Sequence, residues 1–138
     1  MRRILNVTML ASGLLFLSLG CEPPSNAPEL GEVTGVVTLD GEPLTDATVQ
    51  FDPDSAIRSQ GQTDKSGRYE LLYQGKVKGA VLGRHIVMIS KISEDSRYGH
   101  HEFLPERYWR EPTLRREVKA GKNVINLELT SDPSPDSE

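Results

Sequence analysis

From Val33 onward, apolar residues alternate with polar ones in short runs, and Gly, Pro, Asp or Asn closes each run. A period of two puts one set of side chains on one face of an extended strand. In Val33-Thr34-Gly35-Val36-Val37-Thr38-Leu39 the residues Val33, Val37 and Leu39 share a face. Asp40-Gly41 then reads as a tight hairpin turn, because both central positions of that turn need a left-handed backbone. A second run, Ala47 to Phe51, turns Ala47, Val49 and Phe51 inward, and Pro53 stops it. Thr63-Asp64-Lys65-Ser66-Gly67 is a second turn, in which Asp64 is expected to bond nearby backbone amides. It leads into a run with Tyr69, Leu71 and Tyr73 on one face. His85 to Ile89 is apolar on both faces, which suits a central strand, with His85 expected to be half-buried. Val124 to Leu129 alternates after a turn at Gly121-Lys122-Asn123.

No stretch carries an amphipathic helical pattern, so the expectation is an all-β sandwich rather than a parallel sheet. A chain of 138 residues has room for one such domain with short appendages. The domain is placed at residues 31–130. The segment from Ser93 to Thr113 is long for a plain loop, and it carries Phe103, Leu104, Tyr108 and the only tryptophan, Trp109. It is expected to fold back over one end of the sandwich. Residues 131–138, acidic and broken by Pro133 and Pro135, are expected to be a disordered tail.

The N-terminus has a different character. Arg2-Arg3 precedes an apolar stretch through Leu10, Leu14, Leu15, Phe16, Leu17 and Leu19, which closes on Gly20-Cys21. A positive start, a short apolar run and a small residue before the cut make a secretory signal over residues 1–20. The apolar run is about a dozen residues, whereas a spanning helix needs roughly 20. Pro23, Pro24 and Pro28 make residues 21–30 a stiff polar tether. Cys21 is the only cysteine, which excludes an internal disulfide and a CxxC redox pair.

Leu17-Ser18-Leu19-Gly20-Cys21 resembles the lipobox of bacterial lipoproteins, with Ser18 where that pattern usually has Leu. The resemblance implies diacylglycerol on the Cys21 thiol, cleavage before Cys21, and acylation of the new amino group. Two or three acyl chains anchor a protein stably where one is marginal. The expected address is therefore an exported, lipid-anchored protein on the periplasmic or cell-surface side of an envelope membrane. By the same analogy Glu22, in place of an Asp, favours onward sorting from the inner membrane.

The folded part carries a second resemblance. Val33-x-Gly35-x-Val37, Asp40-Gly41-x-Pro43-Leu44, Ala47-x-Val49-x-Phe51 and Gly61-x-Thr63-Asp64-x-x-Gly67-x-Tyr69 resemble the carboxypeptidase regulatory-like domain. Gly83, Leu104-Pro105-x-x-Tyr108 and Gly121-x-Asn123 extend the pattern across nearly all of residues 31–130. The resemblance implies a seven-stranded transthyretin-like β-sandwich. It carries no catalytic residues, because in metallocarboxypeptidases this domain sits beside the enzyme. A fold does not fix a function.

Candidate chemistry is sparse. His101-Glu102-Phe103-Leu104-Pro105 begins like the zinc-protease HExxH, but Pro105 occupies the second histidine's place and opposes the helix. The favoured reading of His100-His101-Glu102 is a solvated polar loop, and the alternative is a metal-binding pair. Asp52, Asp54 and Asp64 would need six to eight oxygens to hold calcium, and no EF-hand loop is present. A G-x-S-x-G elbow and a phosphate-binding loop are absent. Gly75, Gly79 and Gly83, with Lys76 and Lys78 between them, read as turn formers. No catalytic residue, metal or cofactor is assigned.

Arg107, Tyr108, Trp109 and Arg110 form the candidate binding surface, since Arg and Trp are enriched at binding hot spots. The competing reading packs Tyr108 and Trp109 into the end of the core and pairs the arginines with Glu106, Glu111 and Glu117. The net charge is −4, and losing Arg2 and Arg3 with the leader takes the mature chain to −6. That balance argues against nucleic acid or anionic lipid as the main partner. The expected function is a non-catalytic, membrane-anchored binding or scaffolding module that meets an envelope protein or polysaccharide. Self-association as a structural envelope protein is the alternative, and a metal-dependent enzyme is the least favoured.

Overall fold

A computed structural model describes residues 26–54, 56–95 and 99–132. The leader, Cys21, most of the tether and residues 133–138 lie outside the described residues. The chain runs β1 (Leu30–Leu39), β2 (Glu42–Pro43), β3 (Thr48–Pro53), β4 (Ser59–Gln62), β5 (Arg68–Glu70), β6 (Leu72–Tyr73) and β7 (Val77–Lys78). It continues through β8 (Ala80–Val81), β9 (Gly83–Ser90), β10 (Ile92–Asp95) and β11 (Gly99–Glu102) to helix α1 (Glu106–Trp109). Strands β12 (Arg115–Val118), β13 (Gly121–Val124) and β14 (Leu127–Leu129) complete it. None of the described helices is long and apolar enough to cross a membrane.

These elements form the all-β sandwich that the alternation predicts. One sheet is built around β1, with β13 and β14 along one side and β8, β5 and β2 along the other. The second has the order β12-β9-β3-β4-β6-β7. Between them lie Val33, Val37, Leu127 and Leu129 from the first sheet and Val49, Phe51, Val87, Ile89 and Val118 from the second. Each such side chain, fully buried, stabilises the fold by about 1.5–3 kcal/mol before chain entropy is subtracted. The Asp40-Gly41 hairpin forms as expected. Both residues have positive φ, 51° and 84°, and Leu39 pairs with Glu42 across them.

Three features of the sheets differ from the simple alternating pattern. The run from Arg68 to Tyr73 is not one strand: β5 pairs with β1 in the first sheet and β6 with β4 in the second. The return strand crosses back the same way, from β7 on β6 to β8 on β1. Gly79 sits at that crossing with φ 118°, and a Cβ there would meet the Gly31 carbonyl oxygen at 2.4 Å. Second, Gly121 and Asn123 belong to β13 rather than to a turn, and the final run breaks at Ile125-Asn126. Third, β13 and β14 both pair with β1 in parallel, so the first and last strands run side by side in one direction.

The break between β13 and β14 is held by Gly35 and Tyr69, distant in sequence, and by Asn126 of the break itself. The Ile125 backbone dips so close to β1 that a Cβ on Gly35 would lie 1.8 Å from the Ile125 carbonyl oxygen. Tyr69 Oη donates to that oxygen at 2.7 Å. Asn126 Oδ1 accepts from the Val36 N–H at 3.0 Å, replacing the acceptor that a regular strand would supply. His85 is more buried than expected, at 2% exposed. Its Nε2 donates to the Val81 carbonyl at 2.7 Å, and its ring lies 5.7 Å from that of Phe51.

Candidate functional site

The segment between β9 and β12 covers one end of the sandwich. It opens with the β10–β11 hairpin, in which His101 lies opposite Ser93 and His100 opposite Glu94. His101 and Glu102 therefore sit on a strand, where HExxH geometry cannot form. Glu102 Oε1 instead accepts from the Lys91 and Leu104 N–H groups, at 2.7 and 3.2 Å, and clamps the base of the hairpin. Among the described residues no group of three or more His, Cys, Asp or Glu side chains is placed to hold a metal ion. Asp52 pairs with Arg58 at 3.3 Å. Asp64 Oδ1 accepts from the Ser66 and Arg68 N–H groups, at 2.8 and 3.0 Å, as its turn predicts.

Helix α1 is one turn long and follows Pro105, which has no N–H to leave unsatisfied. The four candidate residues, three in α1 and Arg110 at its C-cap, have separate fates. Tyr108 is buried and joins Leu104 in the core. Arg107 lies over the Tyr108 ring, 4.7 Å from its centroid. The Arg107 guanidinium donates to the Thr130 carbonyl, to Thr130 Oγ1 at 3.1 Å and to the Asp132 carbonyl at 2.6 Å. Burial raises the Tyr108 hydroxyl pKa, but hydrogen bonds with Thr130 and the Arg107 charge outweigh it and hold it below the usual tyrosine range. Arg110 pairs with Glu106 at 3.1 Å on the solvent side. Trp109 is half-buried, and its Nε1 donates to the Leu104 carbonyl at 3.0 Å.

Arg107 is thus a strap for the chain's exit. Asp40 supplies a second strap, accepting from the Ser131 N–H at 3.0 Å and from Ser131 Oγ at 2.6 Å. Those bonds to Ser131, with a smaller contribution from Arg107, hold the Asp40 carboxyl below its ordinary pKa. Ser131 and Asp132, placed in the tail by composition, are held against the domain.

What remains open is the outer side of Trp109. Together with Met88, Ser90, Ile92 and Glu102 it lines a groove of about 460 Å³. Ile92 and the neighbouring Phe103 are largely exposed, with Lys91 Nζ 5.6 Å from the Phe103 ring. Concentrated aromatics in the sequence pointed to Trp109 but not to Met88 or Ile92. The signal for Met88 was the apolar outer face of β9, which burial in a central strand also explains. A larger, more open cleft of about 560 Å³ crosses the outer face of the first sheet, between Gln62, Asp64 and Arg68 on one side and Val124 and Asn126 on the other.

The motif residues carry structural loads. Thr63 Oγ1 accepts from the Ala47 N–H at 2.9 Å, and Gly67, at φ 75°, accepts the Val37 N–H at 2.8 Å. Asn123 accepts from the Lys119 N–H and donates to the carbonyls of Glu32 and Lys119, tying the β12–β13 turn to β1.

No family model matches the chain, and no curated protein matches it. Two solved structures are similar. A DUF3823 family protein from Parabacteroides merdae is 14% identical with a TM-score of 0.41, over 76% of this chain and 48% of that one. A 9R-lipoxygenase from Cyanothece is 19% identical with a TM-score of 0.36, over 83% of this chain and 19% of that one. The chain spans about half the length of the first and a fifth of the second.

Proposed function

We propose that this chain is an envelope lipoprotein, anchored through acylated Cys21, whose β-sandwich is a non-catalytic binding module of the carboxypeptidase regulatory-like kind. The ligand-facing surface is the Trp109 groove, and the partner is an envelope protein or polysaccharide. The observation that supports this reading is the position of the groove relative to the tether. The tether enters at Leu30, at one end of β1, whereas Ser90, Trp109 and the exit at Thr130 cluster beyond the other end. At roughly 3.3 Å per residue, β1 separates the two ends by about 30 Å. An anchor at Cys21 therefore holds the groove away from the membrane that carries it. The near-complete structural use of the motif residues supports a scaffold without a catalytic centre.

In-cell crosslinking with mass spectrometry of membrane fractions tests this reading. The native chain is expected to crosslink to one distinct partner, Trp109→Ala to lose that crosslink, and Cys21→Ser to leave the membrane fraction. Crosslinks only between copies of this chain would replace the binding module by a self-associating layer. Retention of Cys21→Ser on the membrane would remove the lipid anchor.

A further inference from the structure

The four arginines that lie close in sequence after Pro105 are divided by the fold. Arg107 in α1 and Arg110 at its C-cap stay at the far end. Arg115, with the half-buried Arg116 after it, lies on the edge strand β12, which runs back toward the tether. There it lines a cleft of about 190 Å³ with Arg84 of β9, beside Asp54. The stripe continues into the β12–β13 turn with Lys119 and Lys122, and all four cations are exposed. Asp54 beside the two arginines, Glu117 opposite Arg84, Glu32 opposite Lys122, and Glu29 just before β1 are acids set among them. The stripe ends where the tether begins. The Lys119 carbonyl is so close to Gly31 that a Cβ there would lie 2.1 Å from it, and Asn123 bonds both Glu32 and Lys119.

The opposite end has an acidic excess: Asp40, Glu42, Asp46, Asp64, Glu106, Glu111 and Asp132 are exposed there, against Lys65, Lys91, Arg107 and Arg110. The mature chain's negative charge is thus concentrated away from the tether, and its overall balance does not describe the surface beside it. We infer that the stripe Arg84, Arg115, Lys119 and Lys122 docks on anionic phospholipid headgroups, standing the sandwich on its tether end. This deepens the function proposed above and rests on the anchor at Cys21. A polar, proline-rich tether from Cys21 to Leu30 reaches roughly 30 Å at most. That span keeps the stripe at high local concentration above the headgroups. Screening limits the attraction to about 8 Å in physiological salt, so contact requires the stripe to meet the surface directly. The acidic end is repelled by the same surface, which sets the orientation.

Cys21 is the only cysteine, so the mature chain can be coupled through it to a maleimide lipid in vesicles. Amine acetylation is then read by mass spectrometry on phosphatidylcholine vesicles, with and without phosphatidylglycerol. On the anionic vesicles, labelling of Lys119 and Lys122 is expected to fall about fivefold relative to Lys65 and Lys91 at the far end. High salt is expected to restore it. Arg84→Glu/Arg115→Glu is expected to abolish the protection while leaving the Trp109 emission of the folded chain unchanged. Equal labelling of both ends on both vesicles, or protection that persists in high salt, overturns the docking. If the double variant does not fold, the salt and lipid comparisons on the native chain decide alone. Chemical coupling supplies the anchor, so a negative result rejects the docking without touching lipidation, which the Cys21→Ser fractionation tests separately.

Discussion

Tyr69 joins parts of the chain that are far apart in sequence. Its ring packs 6.5 Å from that of Phe51, while its hydroxyl holds the Ile125 carbonyl at the break between β13 and β14. Tyr69→Phe leaves that carbonyl without its donor, and a loss of roughly 1–3 kcal/mol is expected in urea unfolding. Burial also holds the Tyr69 hydroxyl well above the ordinary tyrosine pKa. The folded state therefore binds this proton more tightly than the unfolded chain does. Its contribution is full below about pH 10, the unfolded value, and is lost as pH rises beyond it. The depressed Tyr108 acts in the opposite direction, but it is common to both proteins and cancels in their comparison. Wild type should lose stability more steeply than Tyr69→Phe above that pH; parallel curves would reject the assignment. Gly35→Ala tests the same device from the other strand. With its Cβ against the Ile125 carbonyl, the cost should be about 3 kcal/mol or more, and urea midpoints will show it.

At the scale of elements, alternation reports which side of a strand is buried and is silent about its partner. It therefore revealed Val33, Val49, Phe51 and Leu71 as core residues, and Asp40-Gly41 disclosed its hairpin through backbone chemistry local to two residues. The sheet switch at Leu71 kept the same alternation on both sides, so nothing in the sequence marked it. The parallel pairing of β13 and β14 with β1 joins residues about 90 positions apart, and no local signal carries such a pairing. The site was legible to a similar degree. Trp109 stood out as the only tryptophan, but Arg107 looked like a ligand contact because Thr130 and Asp132, which it holds, lie more than 20 residues away. Arg107→Met keeps the apolar stem over Tyr108 and removes the donors. Hydrogen exchange at the Ser131 amide, which donates to Asp40, should then quicken by tenfold or more, while amides in β9 stay protected. Unchanged exchange at Ser131 would assign the hold on the tail to Asp40 alone.

For the whole molecule, the question is whether the α1 end and the two sheets unfold as one unit. β1 pairs with five other strands, and Leu104 and Tyr108 from the α1 segment share one buried cluster with Val37, Val87 and Leu129. Thr130, bonded to the Tyr108 hydroxyl, directly follows β14, so loosening α1 also frays the strand that closes the first sheet. The described residues bury their apolar side chains in one cluster, so cooperative unfolding follows for a domain of this size. Trp109 sits at the α1 end and reports on it alone, whereas far-ultraviolet circular dichroism reports on both sheets. The two signals should give the same urea midpoint and the same slope. An earlier Trp109 transition would make the α1 end a separately opening lid over the groove, and ligand affinity would then depend on that opening as well as on the groove itself. A shared midpoint makes the groove a preformed surface, so that a partner which binds it stabilises both sheets by the full linkage of its affinity.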